Sequence, residues 1–363
     1  MMKTADKLMI ICVFICLAHL NIVSLSVEAQ SAGVIVIKAD GSVSGTNLIY
    51  RQGSVYRLTG DTYDSPITVL CSNIVLDGAG FTLQGAGGWG KAGVAGVETT
   101  AAIHLTCSNV TVQNFNISGW EAGVSGANDG NSIIDNNITR TENAVAIYAD
   151  NYVVKGNYLT SSTYGIYIKG NSNWISQNQI IDNYGGAMIY PTLNTTITEN
   201  DFINNGVELT IGTYADFSYQ IYDNNFEINA NTTIVLTNSD ALGPADLGTM
   251  PAWDNGSVGN YWSDHAAKYP GASKVGNSTI SNTPYMIRTD PTFIDRYPLM
   301  SPASTQDEVV AKAESSSGSP LSPRSAATKI SLVAAAVIAV GLCVVVLAFR
   351  NKLFWLQKSS EPA

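Results

Sequence analysis

Apolar residues fall at fixed intervals through the middle of the chain. The phrase Val112-Gln-Asn-Phe-Asn-Ile117 returns at Ile133 to Ile138, Val154 to Leu159, Ile175 to Ile180, Ile197 to Phe202 and Ile221 to Phe226. Its last residue advances by 21, 21, 21, 22 and 24 positions. A second ladder keeps phase: Gly123, Ala144, Gly165 and Gly186 stand 21 apart, trailed by Val145/Ile147, Ile166/Ile168 and Ala187/Ile189. Apolar residues two apart, many of them β-branched, describe short strands with one buried face; the segments are too short for helices. A period near 21 residues holds two or three such strands and their turns, which is one coil of a solenoid whose neighbours hydrogen-bond at about 4.8 Å. The pattern predicts an all-β, right-handed parallel β-helix over residues 30–238, with coils of 21–24 residues.

The polar positions repeat as well. Asn136, Asn157, Asn178, Asn200 and Asn224 form one column, where asparagine suits a left-handed turn and its amide can bond to the next asparagine in the stack. The glycine column marks a second bend. Upstream, Thr68 to Leu83 aligns with Leu105 to Ile117 at an offset of 36, and the excess is the Gly-rich stretch Gly85 to Gly96, read as a loop leaving the stack. This alignment sets Cys71 beside Cys107 on neighbouring coils, as a disulfide or as a buried thiol ladder.

The two ends follow other patterns. Residues 1–29 carry Lys3 and Lys7, an apolar run from Leu8 to Ala18 and a small-residue finish at Val27-Glu28-Ala29, as a signal peptide does. Residues 239–300 break the period, hold Trp253, Tyr261, Trp262, Tyr285 and Tyr297, and are expected to cap the open end of the solenoid. Residues 301–328 have the composition of a Ser/Pro-rich stalk. Residues 329–350, with the uncharged run Ile330 to Phe349, are predicted to cross the membrane once, leaving residues 351–363 as a basic cytoplasmic tail. The reading is therefore a single-pass cell-membrane protein with an extracellular body.

Charge removes one class of partner. The chain has a formal net charge of −10, and Ser31 to Ala327 alone holds 26 acidic and 13 basic residues, so nucleic acid is not expected to bind. Only Cys71 and Cys107 fall in the exposed body.

Several phrases outside the coils, namely Ile37-Lys-Ala-Asp-Gly-Ser-Val43, Asp77-Gly-Ala-Gly-Phe-Thr-Leu83, Gly259-Asn-Tyr-Trp-Ser-Asp264, Asn282-Thr-Pro-Tyr285 and Asp295-Arg-Tyr-Pro-Leu-Met300, resemble those of the NosD-type right-handed β-helix family, in the form common on archaeal cell surfaces. The resemblance covers nearly everything between residues 33 and 300 and implies the β-helix fold. It leaves function open, since β-helices include polysaccharide lyases, glycosidases, adhesins and a copper-enzyme maturation factor.

Each of those functions needs its own residues. A glycosidase needs two carboxylates across a sugar bond; Asp135, Glu199 and Asp223 precede ladder asparagines and are weak candidates, because turn carboxylates are ordinarily solvated and Gly156 and Gln177 interrupt their column. A lyase wants a basic residue, and Lys155, Lys169 and Arg140 stand apart from one another. Copper draws on His, Cys and Met; the body offers His104 and His265, with Met188, Met250, Met286 and Met300 dispersed. His104 reads as an ordinary exposed strand histidine, and no metal or other cofactor is expected. Sugar contact has a better pattern: Tyr148, Lys169 and Tyr190 share a column with Tyr167 close by, an outward strip able to stack on sugar rings, although tyrosine is also simply favoured in strands. Asn109, Asn116, Asn137, Asn194, Asn231, Asn255 and Asn277 head Asn-x-Ser/Thr sequons and are glycosylation candidates. The best reading is a non-catalytic surface protein for envelope structure, adhesion or contact with envelope glycans or surface proteins. A tethered carbohydrate-active enzyme and a copper-binding maturation factor are the alternatives.

Overall fold

The computed structural model describes residues 33–87, 101–190, 192–212, 218–228, 234–237, 251–289 and 292–303. The predicted signal segment, the Gly-rich stretch from Gly88 on, residues 304–328 of the predicted stalk and the predicted membrane span all lie outside the described residues. Among those described, no helix is long and apolar enough to cross a membrane.

The repeat folds as its periodicity requires. Three parallel sheets form the faces of a β-helix: a first face running from Val43–Ser44 to Ile234–Thr237, a second from Ile49–Gln52 to Tyr219–Tyr222, and a third from Thr62–Tyr63 to Tyr261–Trp262. Each strand pairs with the equivalent strand one coil away, so Val145 faces Ile166, Val154 faces Ile175 and Leu159 faces Ile180 in strict register. The register is set by burial: a slip of one residue would turn every inward side chain out to water. The inward columns are almost wholly excluded from solvent. Near the C-terminal end the third-face column becomes aromatic. Phe202, Phe226, Trp262 and Tyr285 stack with ring centroids 5.0, 4.7 and 4.4 Å apart, and the Lys268 ammonium sits 4.1 Å from the Tyr285 centroid. At the other end, Val43–Ser44 and Ile49–Gln52 pair antiparallel with their neighbours and close the first and second faces.

The asparagine column is a directional hydrogen-bond chain. Each side-chain oxygen accepts from the coil before it: Phe115 N–H donates to Asn136 Oδ1, and Asn136, Asn157, Asn178, Asn200 and Asn224 N–H groups donate in turn to Asn157, Asn178, Asn200, Asn224 and Asn260, all at 2.9–3.1 Å. Each Nδ2 donates forward to the next Oδ1 and back to a strand carbonyl of the preceding coil, as Asn178 does to Asn200 Oδ1 and Val154 O at 2.9 Å. The left-handed residue turns out to be the one before the asparagine: Asn114, Asp135, Gly156, Gln177, Glu199 and Asp223 have φ between 55° and 67°. The asparagines themselves are not left-handed. Their side chains must point inward while the preceding residue makes the turn.

Such a column has to end on a group that accepts and need not donate, and the closing motifs supply it. Asn260 of the Gly-Asn-Tyr-Trp phrase adds one more rung, with Tyr261–Trp262 paired to Asn225–Phe226. The stack therefore enters the segment expected to be the cap. Asp295 of the Asp-Arg-Tyr-Pro phrase then terminates it, its Oδ2 accepting from Asn260 N at 2.7 Å and Trp262 Nε1 at 2.9 Å, its Oδ1 from Tyr297 N at 3.0 Å. Gly259 is required here, because a Cβ would stand 1.8 Å from Asp295 Oδ1. The next residue, Arg296, grips buried Asp254 at 2.6 and 2.9 Å.

A second internal column ends the same way. Thr141 N–H donates to Ser162 Oγ, Ser162 to Asn183 Oδ1, Asn183 to Asn205 Oδ1, and Asn205 to Glu208 Oε1. Glu208 is fully buried and also accepts from Asn205 Nδ2. A third column, Asn131, Tyr152, Asn173 and Thr195, links the remaining corner.

Two outcomes are expected. Asn178→Leu takes their side-chain partner from Asn157 N–H and Val154 O, while Asn157 Nδ2 keeps Ile133 O and Lys155 O; guanidinium unfolding should show a loss of roughly 2–5 kcal/mol, since each stranded buried polar group costs about 1–3 kcal/mol. The second outcome concerns pH. Burial pushes the Asp295 carboxyl up to about 6 and that of Glu208 up to about 7, against hydrogen bonds that pull the other way. A carboxyl raised on folding favours the native state while protonated, so this contribution is complete below about pH 4 and is lost as pH rises through 6 to 7. Each group should account for about 3 kcal/mol of that decline. Glu208→Gln should flatten the fall in Tm between pH 5 and pH 8, and an unchanged slope would remove Glu208 as its source.

Candidate functional site

With every inward column committed to packing or hydrogen bonds, recognition falls to the outward faces and turns. On the first face the parallel register carries Ile147 opposite Ile168 and Ile168 opposite Ile189. One residue beyond each, Tyr148, Lys169 and Tyr190 therefore line up on three successive coils. Tyr167, two residues before Lys169, shares its outward face. The rings meet: Tyr148 and Tyr167 centroids are 5.6 Å apart and Tyr167 and Tyr190 5.3 Å, with the planes tilted. Lys169 Nζ lies 6.0 Å from the Tyr190 centroid. Tyr148 is 51 % exposed, while Tyr167 and Tyr190 are half-buried. The strip spans three coils, about 10 Å between the outer Cα positions at the usual strand spacing. Burial beside its neighbours pushes the Tyr167 and Tyr148 phenols up, so both stay neutral hydroxyls able to donate and accept.

The turn carboxylates come together only in part. Asp135 is exposed and lies against bare Gly156, where a Cβ would stand 2.4 Å from its Oδ1. Glu199 and Asp223 occupy adjacent coils, joined by Glu199 N–H to Asp223 O at 3.0 Å, and Gln177 Nε2 donates to Glu199 Oε2 at 2.6 Å. Burial first, then the Glu199 charge, raise the Asp223 carboxyl. All three residues hold left-handed turns, which gives this column a conformational role. Glu199→Asn keeps a side chain suited to that turn and removes the negative neighbour. It should stabilise the protein by up to about 1 kcal/mol, the left-handed strain relieved less the lost Gln177 bond, and bring the Asp223 titration down in an NMR pH series.

His104 departs from the exposed reading: its ring is half-buried, Nδ1 lies 3.0 Å from Ser125 Oγ one coil on, and burial lowers its pKa. His265 is buried in the cap, with Nε2 3.0 Å from Thr283 O and its ring against Tyr269 and Tyr285. Cys71 and Cys107 are neighbours, as the register of Val69 opposite Leu105 requires, and both are free thiols. Burial pushes the Cys107 thiol up. Of the sequons, Asn109, Asn194, Asn255 and Asn277 are exposed. Asn116 and Asn137 are half-buried and bonded along the stack, Asn137 Nδ2 to Asn116 Oδ1 at 3.3 Å, and Asn231 lies outside the described residues.

The three-faced parallel coil, with its asparagine column and acceptor-capped end, defines a β-helix repeat protein. The chain belongs to the family described as periplasmic copper-binding protein (NosD), whose model matches residues 59–267, from the first complete coil through the Gly-Asn-Tyr-Trp phrase. None of the curated proteins matches the chain. The family description names copper, which would need donors gathered among the described residues. No three His, Cys, Asp or Glu side chains converge among them. His104 and His265 sit on different elements, each already engaged through one ring nitrogen.

The sequence did not reveal the second and third internal columns, whose members alternate between Thr, Ser, Asn and Tyr. Nor did it reveal Asn260 as a rung, although Asn260-Tyr-Trp262 repeats the form of Asn224-Asn-Phe226.

Proposed function

We propose that this protein is a non-catalytic surface β-helix that holds envelope glycans along the strip Tyr148, Tyr167, Lys169 and Tyr190. The observation that carries this reading is the contact of three outward tyrosine rings across successive coils. Stacked phenols offer flat apolar faces with hydroxyl rims, suited to sugar rings, and Lys169 adds a donor beside them. Membrane anchoring by residues 329–350, export by residues 1–29 and glycosylation at the exposed sequons complete the reading. They would place the β-helix outside the cell. Catalysis is disfavoured by the turn role of Asp135, Glu199 and Asp223, and copper delivery by the separation of His104 from His265.

The test is glycan-array binding by the full chain together with a polysaccharide hydrolysis screen. Array binding should fall at least about tenfold in Tyr167→Ala, the loss of roughly 1.4 kcal/mol expected of one aromatic platform, with the Tm unchanged. Hydrolysis that disappears in Glu199→Gln would favour the enzyme instead.

A further inference from the structure

Away from the tyrosine strip, the turn leading from the third face to the first carries a cavity of ≈ 460 Å³ lined by Gln84, Gly85, Gly87, Gly119, Trp120 and Arg140. Its floor is backbone drawn tight across successive coils: Gly85 N–H donates to Ser118 O at 2.8 Å, Gly87 N–H to Gly119 O at 3.3 Å, and Gly119 N–H to Arg140 O at 3.2 Å. Bare glycine is what lets the two coils approach this closely at the cavity floor. A Cβ on Gly85 would stand 2.2 Å from Gly119 O and 3.0 Å from the Trp120 ring. The indole is held as a wall, because its Nε1–H donates to Leu83 O at 3.0 Å.

Arg140 is exposed and steadied by one side-chain bond. Its backbone is left-handed, with φ 54°, and its Nε donates to Ser118 Oγ at 3.0 Å. The two terminal nitrogens of the guanidinium have no partner among the described residues. The ion pairs found there join Arg57 to Asp77 and Arg296 to Asp254, each arginine matched to a buried carboxylate. In a chain of 29 acidic and 19 basic residues, an arginine steadied at Nε and left unmatched at its fork is a ready anion contact. A carboxylate fits that fork in two parallel hydrogen bonds.

We propose that this cavity binds a carboxylated sugar, its carboxylate on the Arg140 fork and its ring face on Trp120. The indole selects a ring over a bare anion. The net charge of −10 selects an isolated acidic sugar within a mostly neutral glycan over a polyuronate, whose repeated charges the protein would repel. The site is separate from the tyrosine strip and stands or falls without it.

The experiment uses full-length protein in detergent, carrying Tyr167→Ala so that the strip does not contribute. It is titrated with methyl glucuronide, methyl glucoside and N-acetylglycine by calorimetry and tryptophan fluorescence. Glucuronide should bind saturably, with the other two at least about tenfold weaker. Arg140→Lys, which keeps the charge and loses the fork, should weaken glucuronide about tenfold and leave glucoside unchanged. Trp120→Phe should weaken both sugars. Absence of saturable glucuronide binding, equal binding of glucoside, or equal binding of N-acetylglycine would overturn the proposal. So would glucuronide binding that survives Arg140→Met with the Tm unchanged; if that variant is unstable, Arg140→Lys decides.

Discussion

A buried asparagine amide has a direction, and a column of them must keep it. Here every Oδ1 accepts from the coil before and every Nδ2 donates to the coil after, from Phe115 N–H to Asn260. The chain of bonds ties the turn of each coil to the next, where strand ladders alone would leave turn amides unpaired inside the protein. It also dictates how the stack ends. The last amide needs an acceptor that has no onward bond to make, and a carboxyl oxygen meets this whether or not its partner oxygen carries a proton. Asp295 and Glu208 each take that place at the end of a separate column. Two buried carboxylates in an acidic protein thus have a structural explanation that requires no chemistry.

That constraint separates inside from outside. The inward positions, whether Ile, Asn or Phe, have no freedom to serve a ligand, because each is bound to the coil above and the coil below. Variation in function must then sit on outward columns and turn surfaces, as with the tyrosine strip on the first face and the Trp120–Arg140 cavity at the turn. The same separation bears on the family description. On the outward column that carries His104, Ser125 stands one coil on, where a second ligand would be needed.

Much of this was legible in the chain. The period, the inward aliphatic positions and the tyrosine column follow from spacing alone, because a parallel stack converts a repeat of 21 residues into vertical neighbours. The closing phrases were legible only as motifs. Their work became clear when Asn260 was seen to add a rung, Asp295 to end it and Gly259 to leave room for the carboxylate. Which residue of each turn is left-handed was misplaced by one position, since asparagine satisfies both roles and the pattern does not separate them.

The sequence by itself determined the coil, its register and the side of each strand that faces inward, since these depend on a local period of two within a repeat of about 21 residues. Tertiary structure decided what depends on geometry between non-equivalent positions. Trp120 and Arg140 come from different coils and share no column, yet the tight glycine floor at Gly85 and Gly119 brings them to one cavity. Glu208 follows Asn205 by three residues and meets it only because the chain turns back on itself there. Periodicity reports which residues repeat. The fate of the residues that do not repeat is settled by the space the repeats leave between them.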